Sequence, residues 1–444
     1  MTNPIAKEKL NNETILIGYD LNDDYAQISY LVIGEVEPKT VSCVAGTEQY
    51  NIPVVLTKRK GVGQWYYGKE ALKYAGEDGI PVYNLVSRAI SGEEVMIEDR
   101  AYDPVALLTL FVKRTLTLLS MQVSLKGTEA FLFTMENLNA RTIEVLERVA
   151  AGLSLECSNM LFQGHTESFF YYVLNQPPEL WRSDVMVYEY HRNMKAMQFH
   201  CNRNTTPNVV LIENKEFPNM QRVKWPKNSV SPTDEEGIED PEVTTLRQNL
   251  DLQFCKVIGD TVGNQTIGTI YLLGDGFKEE WSKESLRILC KDRRVFQGNN
   301  LYSKGACYCL AERMHPTEYS KNYVYLGEDK LKSNIGMKVL RRGEESYYAI
   351  LDAGVNWYEC KADFDVILKD GDSLNFLITP LTGARAYERA VPIEGLPERP
   401  ERTTRLHLHL EMSSVSELDI EITDLGFGAI FPSSGRAFTK SIEV

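Results

Sequence analysis

The order of apolar and polar residues in the first third of the chain predicts strands and helices in alternation. Residues 14–20 form an apolar run that ends in a carboxylate, and the run at 25–33 alternates well enough to pair with it as a hairpin. Amphipathic helical spacing begins at Asp103, which has the position of an N-cap before Pro104. This part of the chain therefore predicts a β-hairpin followed by a long helix.

A similar succession of elements appears a second time further along the chain. Strands, hairpins and helices between residues 14 and 174 are followed by the same types of element between residues 185 and 290, which indicates a duplicated α/β plan. The predicted strands are 40–44, 54–56, 130–134, 161–162, the hairpin 185–188 with 196–200, and 268–273. The predicted helices are 138–151, 166–174, 241–255, 279–290 and 304–313.

After about residue 322 the pattern changes to short alternating runs separated by turn residues. Such runs at close spacing are typical of a β-sandwich, so we expect a domain boundary between residues 322 and 323. The runs are 347–351, 364–368, 374–379, 406–410 and 418–422.

Composition and charge narrow the class of protein. The chain has 444 residues and a formal net charge of −14, which disfavours binding to nucleic acid or to anionic membranes. No run of apolar residues is long enough for a transmembrane helix, and residues 1–12 lack the apolar core of a signal peptide. The eight cysteines are scattered and do not form a disulfide framework. We therefore expect a cytoplasmic protein that contacts neither nucleic acid nor membrane.

Short motifs throughout the chain resemble the actin-like ATPase superfamily, and within it the DnaK-type heat-shock chaperones. The resemblance spans residues 15–444, although each motif is short, and it does not extend to the family's helical lid or acidic tail. The motifs are Ile17-Gly-Tyr-Asp-Leu21, Asn51-Ile-Pro53, Tyr67-Gly-Lys-Glu-Ala71, Tyr271-Leu-Leu-Gly-Asp-Gly276, Lys304-Gly-Ala306 and Val391-Pro-Ile-Glu-Gly-Leu-Pro397.

This resemblance implies a fold and a site. The fold would be an α/β actin-like (ribonuclease H-like) domain at 1–322, with lobes at about 1–190 and 191–322, followed by an all-β sandwich at 323–444. The cofactor would be ATP or ADP with Mg²⁺, and Asp20 would lie near the metal-bound water. The residues implied to bind the cofactor are Asp20, Asn22, Asp23, Glu189, Gly274, Asp275 and Gly276, the last three beside the adenosine.

The chain departs from the family where phosphate would bind. Asn22-Asp23-Asp24 stands in place of a Gly-Thr-Thr turn, and Glu189-Tyr-His-Arg-Asn-Met194 stands in place of Asp-Leu-Gly-Gly-Gly-Thr. Glycine lets the backbone approach a phosphate closely, whereas added carboxylates repel it. Gly164 occupies the position of the family's catalytic Glu. These differences predict a degenerate nucleotide site.

Three functions fit this sequence. The first is a DnaK-type chaperone-like protein that binds a protein or peptide partner through its β-sandwich and holds nucleotide weakly. The second is an active Mg²⁺-dependent ATPase of the same superfamily, with Asp20, Asp23 or Asp24 and Glu189 holding the metal. The third is a scaffold or assembly protein that uses no nucleotide.

Histidines outside the family motifs give weaker signals. His407 and His409 alternate along a predicted strand, so they share one face of a sheet. Because no third metal ligand can be assigned, a half-exposed sheet face is favoured over a metal site. His165 has no readable catalytic partner, so a capping or surface position is favoured for it as well.

Overall fold

The computed structural model describes residues 14–444 except 45, 77, 156, 158, 205, 224, 226–240, 264–265, 299 and 382–383. The polar segment at 1–12 therefore lies outside the described residues. The chain divides into two compact units. The first comprises the residues up to Asn137 and Thr142–Tyr323, and the second comprises Leu138–Arg141 and Val324–Val444.

The described α-helices all belong to the part of the chain before residue 323. They are α1 (Gly68–Lys73), α2 (Leu85–Ser91), α3 (Pro104–Ser120), α4 (Ala140–Leu153), α5 (His165–Leu174), α6 (Pro241–Val262), α7 (Lys283–Leu289) and α8 (Leu301–Met314). The predicted cap of α3 is present, since the Asp103 carboxylate accepts a hydrogen bond from the backbone N–H of Val105 at 3.1 Å and Pro104 opens the helix.

Strands β1–β17 occupy the chain up to residue 325. They are β1 (Ile15–Leu21), β2 (Tyr25–Val32), β3 (Lys39–Thr40), β4 (Ile52–Pro53), β5 (Leu56–Arg59), β6 (Trp65–Tyr67), β7 (Gly79–Val82), β8 (Val95–Ile97), β9 (Arg100–Tyr102), β10 (Thr128–Met135), β11 (Asn159–Gly164), β12 (Asp184–Tyr190), β13 (Asn193–Asn202), β14 (Asn208–Gln221), β15 (Ile267–Leu273), β16 (Arg294–Gly298) and β17 (Tyr323–Tyr325).

Two sheets with the same plan organise the first unit. In the first sheet the order is β11-β10-β1-β2-β3, with β2 antiparallel to β1 and with β10 and β11 parallel to it. In the second sheet the order runs β16-β15-β12-β13-β14, with β13 antiparallel to β12 and with β15 and β16 parallel to it. Each sheet therefore contains three consecutive antiparallel strands extended by two parallel strands.

The second sheet begins earlier in the chain than the expected lobe boundary. Its first strand, β12, spans Asp184–Tyr190, whereas the sequence suggests a lobe boundary at about residue 190. Because β12 and β13 pair as one hairpin, a division at 190 would separate two strands of the same sheet.

Two of the predicted strands differ from the observed ones. The strand expected at 40–44 covers only Lys39–Thr40, because the hydroxyl of Ser42 donates to the carbonyl of Val44 and turns the chain. The strand expected at 54–56 is divided between β4 and β5, with Val54 and Val55 as a buried connection between them.

Helix α8 packs on the first sheet although it follows the second sheet in the sequence. A Cβ atom at Gly18 in β1 would clash with the carbonyl oxygen of Ser303, and one at Gly305 would clash with the carbonyl oxygen of Ser168 in α5. Glycine is thus required at both crossings because the backbones approach too closely for a side chain. The apolar cluster around this contact consists of Leu16, Leu31, Ala130, Leu132, Ala306, Cys307, Cys309 and Leu310.

The second unit is a pair of antiparallel four-stranded sheets. Its strands are β18 (Ser333–Arg341), β19 (Glu344–Leu351), β20 (Lys361–Leu368), β21 (Ser373–Pro380), β22 (Tyr387–Pro392), β23 (Thr404–Ser414), β24 (Glu417–Gly426) and β25 (Ala437–Glu443). The sheet orders are β19-β18-β21-β22 and β20-β23-β24-β25. Alternate residues of β23 and β24 are fully buried, including Leu408, Leu410 and Ile420, as the period of a half-buried strand requires.

No helix among the described residues combines the length and the apolar character needed to cross a membrane.

The close crossing of α5 and α8 gives a test of packing. We expect Gly305→Ala to lower the free energy of unfolding by about 1–3 kcal/mol, because the added methyl group meets the Ser168 backbone. The matched control is Gly259→Ala in α6, where a Cβ meets no atom within 4 Å. There we expect stabilisation of about 0.4–1 kcal/mol. Urea unfolding measures both, and equal effects of the two substitutions would contradict the role assigned to Gly305.

Candidate functional site

Asp20 lies fully buried at the end of β1, between β2 and β10. Its Oδ1 atom is 2.8 Å from Nε2 of His165, the first residue of α5. Its Oδ2 atom has no hydrogen-bond partner among the described residues. A buried carboxylate is costly unless it is paired, so His165 is the group that makes this position tenable. His165 is therefore neither a surface residue nor a simple cap, contrary to the expectation from the sequence.

Tyr302 of α8 connects this pair to the second sheet. The ring of His165 stacks on the ring of Tyr302 with centroids 3.9 Å apart and planes 7° from parallel. The Tyr302 hydroxyl donates a hydrogen bond to Oε2 of Glu189 at 2.8 Å. Burial, reinforced by the Glu189 charge, raises the pKa of Tyr302 well above its usual value, so the hydroxyl stays protonated and remains a donor.

Glu189 ends β12 as Asp20 ends β1. Its Oε1 atom is 3.3 Å from Nε2 of His191, which in turn is 3.2 Å from the hydroxyl of Tyr25. Burial by itself would raise the pKa of Glu189, but hydrogen bonds with His191 and Tyr302 and the nearby His165 outweigh it. The pKa of Glu189 therefore lies below its usual value, and the carboxylate is held in its charged form.

The turn between β1 and β2 is closed by its own side chains. Oδ1 of Asn22 accepts hydrogen bonds from the backbone N–H groups of Asp24 and Tyr25 at 2.8 and 2.9 Å, which is an Asx turn. Asp23 accepts hydrogen bonds from the backbone N–H groups of Val86 and Ser87 at 2.9 and 3.1 Å, and from the Ser87 hydroxyl. The Asp23 carboxylate thus caps the first turn of α2.

A salt bridge connects this turn to the turn between β12 and β13. Nη2 of Arg192 lies 2.6 Å from Oδ1 of Asp24, and both side chains are exposed. Together with the Tyr25–His191 contact, this pair joins the two turns directly through side chains. An exposed ion pair of this kind contributes only about 0–1 kcal/mol, so its importance here is geometric.

The Gly274–Gly276 turn packs against Tyr190. Gly274 has φ of +100°, and a Cβ there would lie 2.5 Å from the carbonyl oxygen of Tyr190. A Cβ at Gly276 would clash with the Tyr190 ring. Both glycines are therefore required by the close approach of Tyr190, the residue that follows Glu189.

Asp275 makes a third connection between the sheets. Its carboxylate is 2.5 Å from Nζ of Lys278 and 3.4 Å from Nδ2 of Asn51, and Oδ1 of Asn51 accepts from Nε2 of Gln27 at 2.5 Å. Burial opposes ionisation of Asp275, but Lys278 outweighs it and holds the pKa of the carboxyl below its usual value.

Only some of the residues implied by the sequence surround one cavity. Asn22, Asp23 and Glu189 line a space of about 290 Å³, at the small end of the roughly 300–1,000 Å³ of ligand pockets. Asp20 is not part of the lining, but it bonds to His165, which is. Gly274, Asp275 and Gly276 are not part of the lining either. The other lining residues are Asp24, Tyr25, Glu136, His165, His191, Arg192, Asn193 and Lys195.

Two ion pairs lie among the residues that line this cavity. Lys195 forms an ion pair with Glu136, and Arg192 forms one with Asp24.

The sequence did not predict Tyr25, Tyr302 or Lys195 as members of the site. Their partners lie far away in the chain, so only the contact between the two sheets reveals them.

The histidines of the sandwich form pairs with aspartates. Nδ1 of His407 is 2.9 Å from Asp365, and Nδ1 of His409 is 2.8 Å from Asp363. Across the part of the chain that the structure describes, no three His, Cys, Asp or Glu side chains are grouped in a way that could hold a metal ion.

The buried Asp20–His165 pair can be tested with an exposed pair as its control. We expect His165→Phe to destabilise the protein by about 1–3 kcal/mol, because it leaves the buried Asp20 carboxyl group without its hydrogen-bond partner. His200→Phe breaks a partly exposed contact with Asp184 at 3.0 Å and is expected to cost less than about 1 kcal/mol. Denaturant unfolding compares the two variants, and adding Asp20→Asn to His165→Phe should recover part of the loss.

The lowered pKa of Glu189 predicts a pH dependence. A carboxyl whose pKa is lower in the folded state stabilises that state above its unfolded pKa of 4.5, and this contribution is lost as pH falls through the folded pKa. Unfolding measured between about pH 6 and pH 3 should therefore show a smaller acid-induced loss of stability in Glu189→Gln than in the unaltered protein. Identical pH profiles would contradict the assignment of Glu189 as a charged, hydrogen-bonded group.

Comparison with known families gives two matches. Residues 37–328, which include Glu189 and the Gly274–Gly276 turn, match the family described as "Family of unknown function (DUF5716) C-terminal". Residues 330–444 match "Domain of unknown function (DUF8552)". No curated protein matches the sequence. Since the first match covers about two thirds of the chain, the protein belongs to the DUF5716 family of unknown function.

Proposed function

We propose that this protein is a DnaK-type, actin-like protein that has lost efficient ATP hydrolysis and binds a protein or peptide partner through its β-sandwich. The observation that carries the proposal is the direct joining of the β1–β2 and β12–β13 turns by Asp24–Arg192 and Tyr25–His191. In the family that the sequence resembles, the corresponding turns hold the phosphates between them. In this protein the side chains of the two turns bond to each other instead.

The backbone donors of the β1–β2 turn support this proposal. A phosphate-binding turn offers several unpaired backbone N–H groups to one anion. In the first turn, the N–H groups of Asp24 and Tyr25 are already bonded to Oδ1 of Asn22. The Asp23 carboxylate is likewise bonded at α2, so neither the backbone nor this carboxylate is set up for a nucleotide with its metal.

Electrostatics point in the same direction. Four carboxylates line the cavity, those of Asp23, Asp24, Glu136 and Glu189, against the two fixed positive charges of Arg192 and Lys195. At about 4 Å each like-charge contact costs roughly 1 kcal/mol in water and about 4 kcal/mol at an effective dielectric constant of 20. A polyphosphate would have to break the existing ion pairs before Arg192 or Lys195 could bind it.

Weak retention of a nucleotide is compatible with one feature. Oδ2 of Asp20 is buried and without a hydrogen-bond partner among the described residues, so it fits a role as acceptor from a metal-bound water. If Mg²⁺ with ADP or ATP binds, Asp20 would hold that water and the metal would neutralise phosphate charge. The bridged turns do not fit the phosphates themselves, so we propose weak binding rather than turnover.

A scaffold without nucleotide is the second candidate. Three side-chain contacts, Asp24–Arg192, Tyr25–His191 and Asn51–Asp275, fix the two sheets of the first unit in one arrangement. Because these contacts already fix the two sheets, no ligand is needed to hold them in place. Such a unit could serve as a rigid surface on which other proteins assemble.

Nucleotide binding and turnover distinguish these functions. We expect no Mg²⁺-dependent phosphate release above the buffer rate, and calorimetric heat with MgADP only at millimolar concentration. Asp24→Asn should strengthen any such binding, because it breaks the bridge to Arg192 and removes one of the carboxylates that repel phosphate. The control Glu284→Gln breaks an exposed ion pair with Arg287 on α7, away from the cavity lining, and should change nothing.

Two other experimental results would favour the active ATPase or the scaffold. Phosphate release that is abolished by Asp20→Ala would overturn the proposal in favour of an active ATPase. Complete absence of calorimetric heat at millimolar nucleotide would exclude nucleotide binding and would favour the scaffold. Mass-resolved sizing with and without ATP then shows whether such a scaffold assembles.

A further inference from the structure

Two histidine–aspartate contacts lie side by side on the outward face of β20 and β23. His409 pairs directly opposite Asp363 across the two strands, and His407 pairs directly opposite Asp365. The distance from Nδ1 to the carboxylate oxygen is 2.8 Å in the first pair and 2.9 Å in the second. Since residues i and i+2 of a strand point to the same face, the two contacts are neighbours. We call these four residues the His–Asp ladder.

Strand β20 depends on such side-chain contacts more than the central strands do. It lies at the edge of its sheet and pairs with β23 on one side. Its inward residues Phe364 and Val366 are only partly buried, whereas Leu408 of β23 is fully buried. Apolar burial therefore stabilises β20 less than it stabilises β23, and side-chain contacts across the strand pair contribute a larger share of what holds β20 in place.

His409 lies among carboxylates from three strands. Its Nδ1 atom contacts Asp363 on β20, and its Nε2 atom is 3.7 Å from Oε2 of Glu411 on β23. Glu421 on β24 pairs directly opposite His409 on the other side. A protonated imidazole donates from both nitrogens, whereas a neutral one has a single N–H. The charged ring therefore offers a donor to both contacted carboxylates, and it places a positive charge between strands whose acidic side chains otherwise repel one another.

The surroundings of His409 favour its charged form. The hydrogen bond with Asp363 raises the pKa of His409 above its usual value, desolvation only partly opposes this effect, and the Glu411 carboxylate adds to it. A histidine whose pKa is raised in the folded state stabilises that state fully below its unfolded pKa of 6.5, and the contribution is lost as pH rises through the folded pKa. The ladder should therefore hold β20 more firmly at about pH 6 than at about pH 8.

Histidine is the residue type on this face that changes its charge near neutral pH. Carboxylates, lysine and arginine ordinarily keep their charge between about pH 6 and pH 8. Lys361 pairs with Glu411 at 2.7 Å. The other charged side chains at outward positions of the sheet are Arg405, Glu417, Asp419, Glu421 and Glu443. A response of β20 between these pH values therefore reports on His407 and His409.

We propose that the His–Asp ladder is a pH-sensitive attachment of β20 to β23, which holds the edge strand in place while the histidines are charged and lets it open more often as they lose their protons. The proposal concerns the sandwich alone and depends neither on nucleotide nor on a partner. Opposite-charge pairs across two strands change such an equilibrium by about 1.4- to 5-fold each. Because the side chains of His407 and His409 are 42% and 34% exposed, we expect both pairs together to change it by about two- to fivefold.

Hydrogen exchange of the β20 amides in the full chain tests the ladder. Mass spectrometry follows peptides that cover Lys361–Leu368 at about pH 6 and pH 8, and the rates are corrected for the intrinsic pH dependence of amide exchange. We expect the protection of β20 to be about two- to fivefold lower at the higher pH, and the protection of β24 to be unchanged. Glutamine stays neutral but can still donate to an aspartate, so the double variant with His407→Gln and His409→Gln should lose this pH response.

The matched control is His200→Gln. His200 also contacts an aspartate, with Nδ1 at 3.0 Å from Oδ1 of Asp184, but it lies on β13 of the first unit, so this variant should keep the full response of β20. Asp363→Asn keeps an acceptor and removes the charge, so it should reduce the response, and it serves as the test if the double variant does not fold.

Three results contradict the ladder. Protection of β20 that is equal at both pH values, or that rises with pH, would overturn the proposal. A response that persists unchanged in the double variant, or in Asp363→Asn where that variant is used, would overturn it as well. An equal loss of protection in β24 would show that the whole sandwich responds to pH, and the assignment to β20 would then be wrong.

Discussion

The first unit depends on the buried carboxylate of Asp20. A charge in that position requires a partner, and His165 supplies it from the start of α5. The ring of His165 is in turn held by Tyr302, and Tyr302 can reach it only because α8 approaches β1 and α5 at Gly18 and Gly305 without intervening side chains. The close helix packing and the buried Asp20–His165 hydrogen bond therefore depend on each other, because a looser crossing would move Tyr302 away from both His165 and Glu189.

The same contacts change the meaning of the acidic net charge. At the level of composition, −14 only argues against nucleic acid and anionic lipid. In the folded unit, Asp23 caps a helix, Asp24 holds Arg192, and Glu189 is bonded to Tyr302 and His191. The carboxylates that would crowd a phosphate are therefore already neutralised or bonded, and a ligand would have to displace those partners rather than enter an open site. This cost is the physical basis for proposing weak nucleotide binding.

The sequence predicts local elements better than it predicts the site. The β1–β2 hairpin, the Asp103 cap and the alternating strands β23 and β24 follow from patterns within a few residues, and they are present. Strands β6 and β7 are only three and four residues long, too short to show an alternating pattern, and the sequence does not predict them. His165 pairs with a residue 145 positions away and Arg192 with one 168 positions away, so no local pattern could report either contact. The departures in the two turns were visible as residue types, but their effect, which is that the turns bond to each other, was not.

Buried carboxyl groups serve opposite purposes in the two units. In the first, Asp20–His165 draws polar groups together around a cavity, and the surrounding side chains satisfy one another. In the second, Arg399–Asp424 fixes the loop between β24 and β25 so that apolar side chains such as Ile430 remain in solvent. Satisfying a polar site internally lowers its affinity for a ligand. The side chains around the cavity therefore already make with one another the contacts that a ligand would need, which the nucleotide motifs alone do not suggest.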